Sequence, residues 1–293
     1  MTQSAVAGHG CLWHAFGGMK AFRKTARTAL KLGLAVLLLF IMLRWFEHSQ
    51  VYHPDKAFEN QPGELGRPFE DVYFDAADGT RLNGWFYPAE TNSPRRHLVV
   101  AYCHGNAGNI SHRLEVCKTL LRSGVAVFLF DYRGYGKSAG RPSEEGTYLD
   151  AQAAHQWLVR KGFAATNIIA FGESLGGGIA SELALRVPLA GLVLQSTFSC
   201  VPDIGGELFP WLPVKWLCTI KYDTCKKLPR LKLPVLVMHS REDRLIGFQH
   251  ATRNFAVANE PKLLWELSGD HNDSVGDPDN FLEGFEKFLM LLK

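Results

Sequence analysis

The pentapeptide Gly172-Glu173-Ser174-Leu175-Gly176 sets a serine between two glycines, each two residues away. An apolar run (167–171) precedes it, and a helix-patterned segment opening Gly177-Gly178-Ile179-Ala180 comes after it. A serine on so tight a strand–turn–helix junction has a strained backbone, and small neighbours relieve the crowding. Its hydroxyl then stands at a helix N-terminus, whose dipole favours an oxyanion. The chemistry this arrangement points to is nucleophilic attack on a carbonyl. A hydroxyl needs a general base for that, and the base needs a carboxylate to fix its tautomer. Where a serine sits on such an elbow, the acid and then the histidine come after it along the chain.

Two histidines qualify as the base. His250 falls in a helix-patterned stretch (248–258) and is expected on the surface. His271 falls in the polar turn Gly269-Asp270-His271-Asn272-Asp273, directly after the strand-like run 262–267. Loops at the carboxyl ends of strands are where functional groups gather in open sheets, so His271 is preferred. Asp243 comes after the run 234–239 in the same way and is the preferred acid, with helix capping as its plain alternative. Glu242 is adjacent and stays open; Asp223 is a weaker choice. The oxyanion requires main-chain donors. One is the N–H of Leu175 beside the nucleophile, and the other is the N–H of Asn106 in the loop His104-Gly105-Asn106-Ala107-Gly108-Asn109. A phosphate-binding reading of Gly136-Lys137-Ser138 fails by counting, because the required first glycine would fall on Asp131.

The elements that must position these residues are legible as alternating runs. Short apolar runs at 97–103, 125–130, 167–171, 190–195, 234–239 and 262–267 alternate with helical spacing at 111–122, 144–161 and 175–186. Strands apolar throughout, separated by helices, predict a parallel sheet covered on both faces. Before them, 72–74 and 82–87 flank Asp78-Gly79 and predict a hairpin. The stretch 200–227, apolar without a clean period, breaks the rhythm and is expected to form a small lid.

Together, the loop 104–109, Asp131-Tyr132-Arg133-Gly134-Tyr135-Gly136-Lys137-Ser138, the serine elbow and the turn 269–273 resemble the α/β-hydrolase superfamily. Within it they are similar to membrane-anchored serine hydrolases carrying an HGNAGN loop, a branch that includes protein depalmitoylases and bacterial members. The resemblance runs from about residue 51 to the C-terminus and takes in Gln50-Val51-Tyr52-His53-Pro54-Asp55. It implies an α/β-hydrolase fold, with Ser174 as nucleophile, Asp243 as acid and His271 as base. Asn106 and Leu175 are then the oxyanion donors, with no metal or organic cofactor. Asp270 and Ser240 stand where members often have glycine, and Cys11 does not match the cysteine cluster of the depalmitoylases, so that activity is not carried over.

The remaining sequence concerns topology. Net charge is +3, yet Lys20, Arg23, Lys24, Arg27 and Lys31 put +5 before residue 32 with no acid, which leaves −2 for 32–293. A near-neutral folded part carries no basic footprint for nucleic acid. The twelve residues 32–43 lack any polar side chain. With Lys31 and Arg44 snorkelling, 28–46 suffices to span a bilayer as a single transmembrane helix. The expected organisation is a cytoplasmic basic arm (1–27), the anchor (28–46), a tether (47–68) and one catalytic domain (69–293). The positive-inside rule sets that domain on the extracytoplasmic side, and a cleaved signal is the competing reading. Two glycosylation patterns, at Asn109 and Asn272, fall in the candidate loops and favour a compartment without N-glycans, such as a periplasm. Six cysteines without a C-x-x-C spacing read as lone thiols, with Cys218–Cys225 pairing as the oxidised alternative. The expected activity is hydrolysis of acyl esters or thioesters, small or lipid-like. A serine peptidase or amidase is the rival, and a binding protein without turnover is the reading from another class.

Overall fold

A computed structural model describes residues 11–273 and 275–292, with side chains from residue 24 onward. The first ten residues of the expected basic arm and Ser274 lie outside the described residues. The chain divides into two units, Met1–Gln50 and Val51–Lys293.

The described part of the first unit is helical. Helix α1 (Cys11–Val51) contains Lys24–Val51, 28 residues long and apolar enough to cross a membrane. The expected span 28–46 lies within it. The helix runs past residue 46 because Glu47-His48-Ser49-Gln50 contains no breaker, and it stops shortly before Pro54.

The second unit begins earlier than the sequence indicates. Residues 51–68, expected as a tether, are part of it: Tyr52 and Pro62 are buried, and β1 (His53–Pro54) is paired. The hairpin β2 (Glu70–Asp75) and β3 (Arg81–Tyr87) comes next, then β4 (Val99–Cys103) and the partner of β1, β5 (Ala107–Gly108). Helix α2 (Leu114–Arg122), β6 (Ala126–Phe130), α3 (Glu144–Lys161), β7 (Ile168–Glu173), α4 (Leu175–Arg186) and β8 (Gly191–Gln195) continue the chain. The segment expected as a lid holds short helices, α5 (Val201–Leu208), α6 (Val214–Leu217) and α7 (Thr224–Lys227). The chain closes with β9 (Val235–Ser240), α8 (Gln249–Val257), β10 (Lys262–Leu267) and α9 (Pro278–Leu289).

Eight strands form one sheet in the order β10-β9-β8-β7-β4-β6-β3-β2. Neighbours from β10 to β6 are parallel, while β3 is antiparallel to both β6 and β2. Every residue of β4, β6 and β8 is buried, because helices cover both faces. Val99, Ala101 and Cys103 join a core layer with residues of α3 and α4. Val100 and Tyr102 point the other way, into a layer with α2 and the fully buried Phe281, Phe285 and Phe288 of α9. Those phenylalanines recur at i, i+4 and i+7, one face of a helix.

The strand order also fixes where chemistry can occur. From β4 the chain steps to β6 on one side, then returns to β7 on the other. That reversal opens a crevice at the carboxyl ends of β4 and β7. Cys103 pairs with Gly172 there, so the loop 104–109 and the serine turn start side by side.

Candidate active site

Ser174 sits at the N-terminus of α4 with φ 52° and ψ −113°, a left-handed conformation costly for a residue with a Cβ. Its N–H donates to Gln195 O (2.9 Å) on β8, and its carbonyl accepts from Gly177 N (3.1 Å). Both flanking glycines are required by space. A Cβ on Gly172 would lie 2.4 Å from Gly176 O, and one on Gly176 would lie 1.9 Å from Cys103 O. The turn can close only over bare backbone, which is the physical content of the spacing.

His271, in the turn after β10, places Nε2 3.2 Å from Ser174 Oγ and Nδ1 2.8 Å from Asp243 Oδ2. Asp243 is buried, and its other oxygen accepts the N–H groups of Leu245 (3.0 Å) and Ile246 (2.7 Å). His239, the histidine of β9, also faces it: Nε2 lies 3.3 Å from Oδ2 and 2.7 Å from Ile246 O. Burial alone would raise the Asp243 carboxyl. Hydrogen bonds from His239 and His271, with the backbone of Ile246, hold it far below the usual carboxylate range. A carboxylate held ionised fixes the Nδ1–H tautomer of His271 and leaves Nε2 free to accept from Ser174.

The loop 104–109 is held peptide by peptide. His104 O accepts from Tyr132 OH (3.0 Å), and Gly105 O meets His104 Nδ1 (2.7 Å). Gly105 N donates to Glu173 Oε2 (3.3 Å), and Ala107 O accepts from Arg113 Nη2 (3.1 Å). The Glu173 carboxylate, inside the serine motif itself, also takes Arg113 Nε (2.7 Å) and Tyr102 OH (2.8 Å). Burial opposes its charge, but the Arg113 guanidinium keeps it below its ordinary value. Among the described residues the N–H of Asn106 has no acceptor, and that of Leu175 lies in the first helical turn, where no intrahelical acceptor exists.

Ser174, Asp243 and His271 are thus brought together, with Asn106 and Leu175 on the adjoining loop and turn. The alternatives are not. Glu242 is exposed and accepts Gly269 N (3.0 Å), while Asp223 caps α7 through Lys226 N (3.1 Å). His250 corrects the sequence expectation, because it is fully buried. Its Nδ1 accepts from Ser199 N (3.1 Å) and meets Ser199 Oγ (2.9 Å), and its Nε2 meets Glu207 (3.1 Å). With Ala251 and Asn254 it forms the inward face of α8, a face too polar to show as an apolar stripe. Asn109 is buried with its amide donating to Asp55 O (3.2 Å) and Ala57 O (2.5 Å), so that acceptor pattern is closed to a glycan. Among the described residues Cys103, Cys117, Cys200, Cys218 and Cys225 form no disulfide, so Cys218 and Cys225 are unbridged.

Three residues around the site escaped the sequence. His239 is hidden in a strand's own run, and Arg113 lies on a helical turn far from the motif. Asp270 accepts Arg244 N (2.9 Å) and Nε (2.7 Å) and His271 N (2.8 Å), which ties the loop of Asp243 to the turn of His271. The one carboxylate–imidazole group of metal-binding proximity among the described residues is Asp55, Glu59 and His112. Two of these are exposed, and His112 is already engaged by Glu59 (3.4 Å) and Asn109 N–H (3.1 Å).

Residues 94–220 match the family model described as serine aminopeptidase, S33. An uncharacterised protein of Mycobacterium tuberculosis is 35% identical over 253 residues, 85% of this chain and 89% of that one. An alpha/beta hydrolase domain-containing protein of Arabidopsis thaliana is 31% identical over 260 residues, 78% of this chain and 82% of its own. Among solved structures, an esterase of Pyrococcus furiosus superposes with a TM-score of 0.66 at 22% identity, covering 83% of this chain and 98% of that one, a likeness of fold.

Proposed function

Because the chain belongs to the α/β-hydrolase superfamily, we propose that it is a serine hydrolase cleaving carboxylic esters or thioesters through an acyl-enzyme. The observation that carries this reading is the relay Ser174–His271–Asp243 at 3.2 and 2.8 Å. Ser174 Oγ attacks the acyl carbon as His271 Nε2 takes its proton. Asp243 fixes the ring and stabilises the imidazolium, and the N–H groups of Asn106 and Leu175 receive the oxyanion. His271 then returns the proton to the leaving group. Water activated by the same nitrogen releases the acid, and side chains and main chain of this protein suffice for every step.

Lipid-like acyl substrates are the preferred class. Leu208, Trp211 and Trp216 are exposed on the segment leaving β8, with Trp216 91% accessible. Exposed aromatic side chains of this kind suit a lipid interface. The helix Lys24–Val51 serves as a single-span anchor, N-terminus inside, with the hydrolase domain outside. A peptidase or amidase is the second reading, favoured by the match to the serine aminopeptidase model.

A fluorophosphonate probe tests the nucleophile. Wild type should label and Ser174→Ala should not; equal labelling of both ends the proposal. A panel of matched ester, thioester and amide substrates then decides the bond. Faster turnover of the amide than of its ester would favour the second reading.

A further inference from the structure

An oxyanion donor works only if its N–H is already aimed when charge develops. The N–H of Asn106 shares a peptide plane with Gly105 O, which His104 Nδ1 holds (2.7 Å). The next plane carries Asn106 O, and its two partners come from outside the loop. One is Tyr135 OH (2.8 Å); the other is the main-chain N–H of His53 (3.0 Å), two residues beyond the end of α1.

The contact with His53 is part of a longer seam. Asp55 N donates to Gly108 O (3.1 Å), so β1 and β5 pair in parallel, His53 opposite Ala107 and Pro54 opposite Gly108. Asn109 returns hydrogen bonds to Asp55 O and Ala57 O, and Glu59 N donates to Ser111 Oγ (3.0 Å). Gly136 N donates to Asp55 O (2.8 Å). The segment is pinned at both ends. Tyr52 OH meets Tyr222 OH (2.9 Å), which in turn meets Thr147 Oγ1 (2.8 Å), and Phe58 packs edge-on against Trp85 at 5.0 Å. A stretch of chain fixed at both ends grips the oxyanion loop between them.

We infer that residues 52–55 are a positioning strap, and that the N–H of His53, with Tyr135 OH, sets the aim of the Asn106 donor. This rests on the serine-hydrolase reading. The segment leaving the apolar helix is thereby a working part of the site, and neither His53 nor Tyr135 touches the reacting atoms.

The test uses the full-length chain and a proline–alanine pair. His53→Ala keeps the N–H and is the reference; His53→Pro removes it while also fixing φ at 53 and restricting Tyr52, so Tyr135→Phe is read beside the pair. Removing an oxyanion donor outright costs about 100- to 1,000-fold in kcat, so a misaimed donor should cost roughly 10- to 100-fold, with KM within about threefold. Hydrogen exchange should quicken at residues 106–111 in His53→Pro and stay unchanged in β7 and β8. Tyr135→Phe, which leaves the backbone intact, should lower kcat in the same sense and decides the matter if the proline variant fails to fold. Equal kcat and equal loop protection in His53→Pro and His53→Ala, or wild-type kcat in Tyr135→Phe, overturns the strap. A wild type that neither labels nor turns over ester overturns the hydrolase reading instead, and the exchange difference at 106–111 still decides the strap.

Discussion

Asp243 accepts two main-chain N–H groups with one oxygen and His271 with the other, so Asp243→Asn preserves shape and removes charge. An amide nitrogen facing Nδ1 forces the wrong tautomer, with the proton on Nε2, and kcat should fall by about 10⁴ with little change in KM. Steady-state ester hydrolysis measures this, and a loss under tenfold would contradict the assigned role. The depressed ionisation of Asp243 carries a sign for stability as well. Its contribution is present above the unfolded carboxylate value, about pH 4, and is lost only as pH falls through the lower folded value. The melting-temperature gap between wild type and Asp243→Asn should therefore be present at pH 5 and narrow as pH falls below about 4. At this scale the sequence was informative where a polar residue falls in the short turn that follows an apolar run, as Ser174, Asp243 and His271 do. It was silent on His239, which is polar inside such a run. It misled on His250, whose partners Ser199 and Glu207 lie in another segment.

Arg133 joins three elements that the sheet alone would leave loosely connected. Its Nε (3.0 Å) and Nη2 (2.8 Å) meet Asp150 on α3, and its Nη1 meets Asp78 (2.7 Å) in the β2–β3 turn. The Asp150 side chain is fully buried, and burial pushes its ionisation up against the pull of Arg133. Arg133→Met would strand a buried carboxylate, and breaking such a pair costs about 3–5 kcal/mol. Thermal melts should show a drop of several degrees at pH 7. Without its partner Asp150 ionises at higher pH folded than unfolded, so the deficit should shrink as pH falls; a deficit independent of pH would point to lost packing instead. The strands and α3 and α4 were legible because continuous apolar runs and helical spacing are properties of side chains. The strap was not. Its seam with residues 106–111 is made mostly by main-chain groups, which leave no periodicity, so a Pro- and Gly-containing stretch resembled a tether.

At the scale of the whole chain, the +5 before residue 32 contrasts with the sparse positive charge beyond the apolar segment. Arg44 is paired with Glu47 (2.7 Å), and the next cation is Lys56. Basic residues near one end of a span resist translocation, so this asymmetry supports the proposed orientation with the N-terminus inside. In the proposed topology the orientation matters for chemistry, because His53 comes two residues after the helix end and the hydrolase domain would fold on the side to which Val51 is delivered. Alkaline phosphatase, active only outside the cytoplasm, fused after Lys293 should be active in a bacterial host. Replacing Arg23, Lys24, Arg27 and Lys31 by serine should cut that activity severalfold, while the protein stays in the carbonate-washed membrane fraction. An inactive fusion would set the domain in the cytoplasm, and recovery of the protein in the wash would replace the anchor with a cleaved signal. Cys103, Cys117, Cys200, Cys218 and Cys225 form no disulfide, which fits either compartment, so the proposed orientation rests on the charge asymmetry alone.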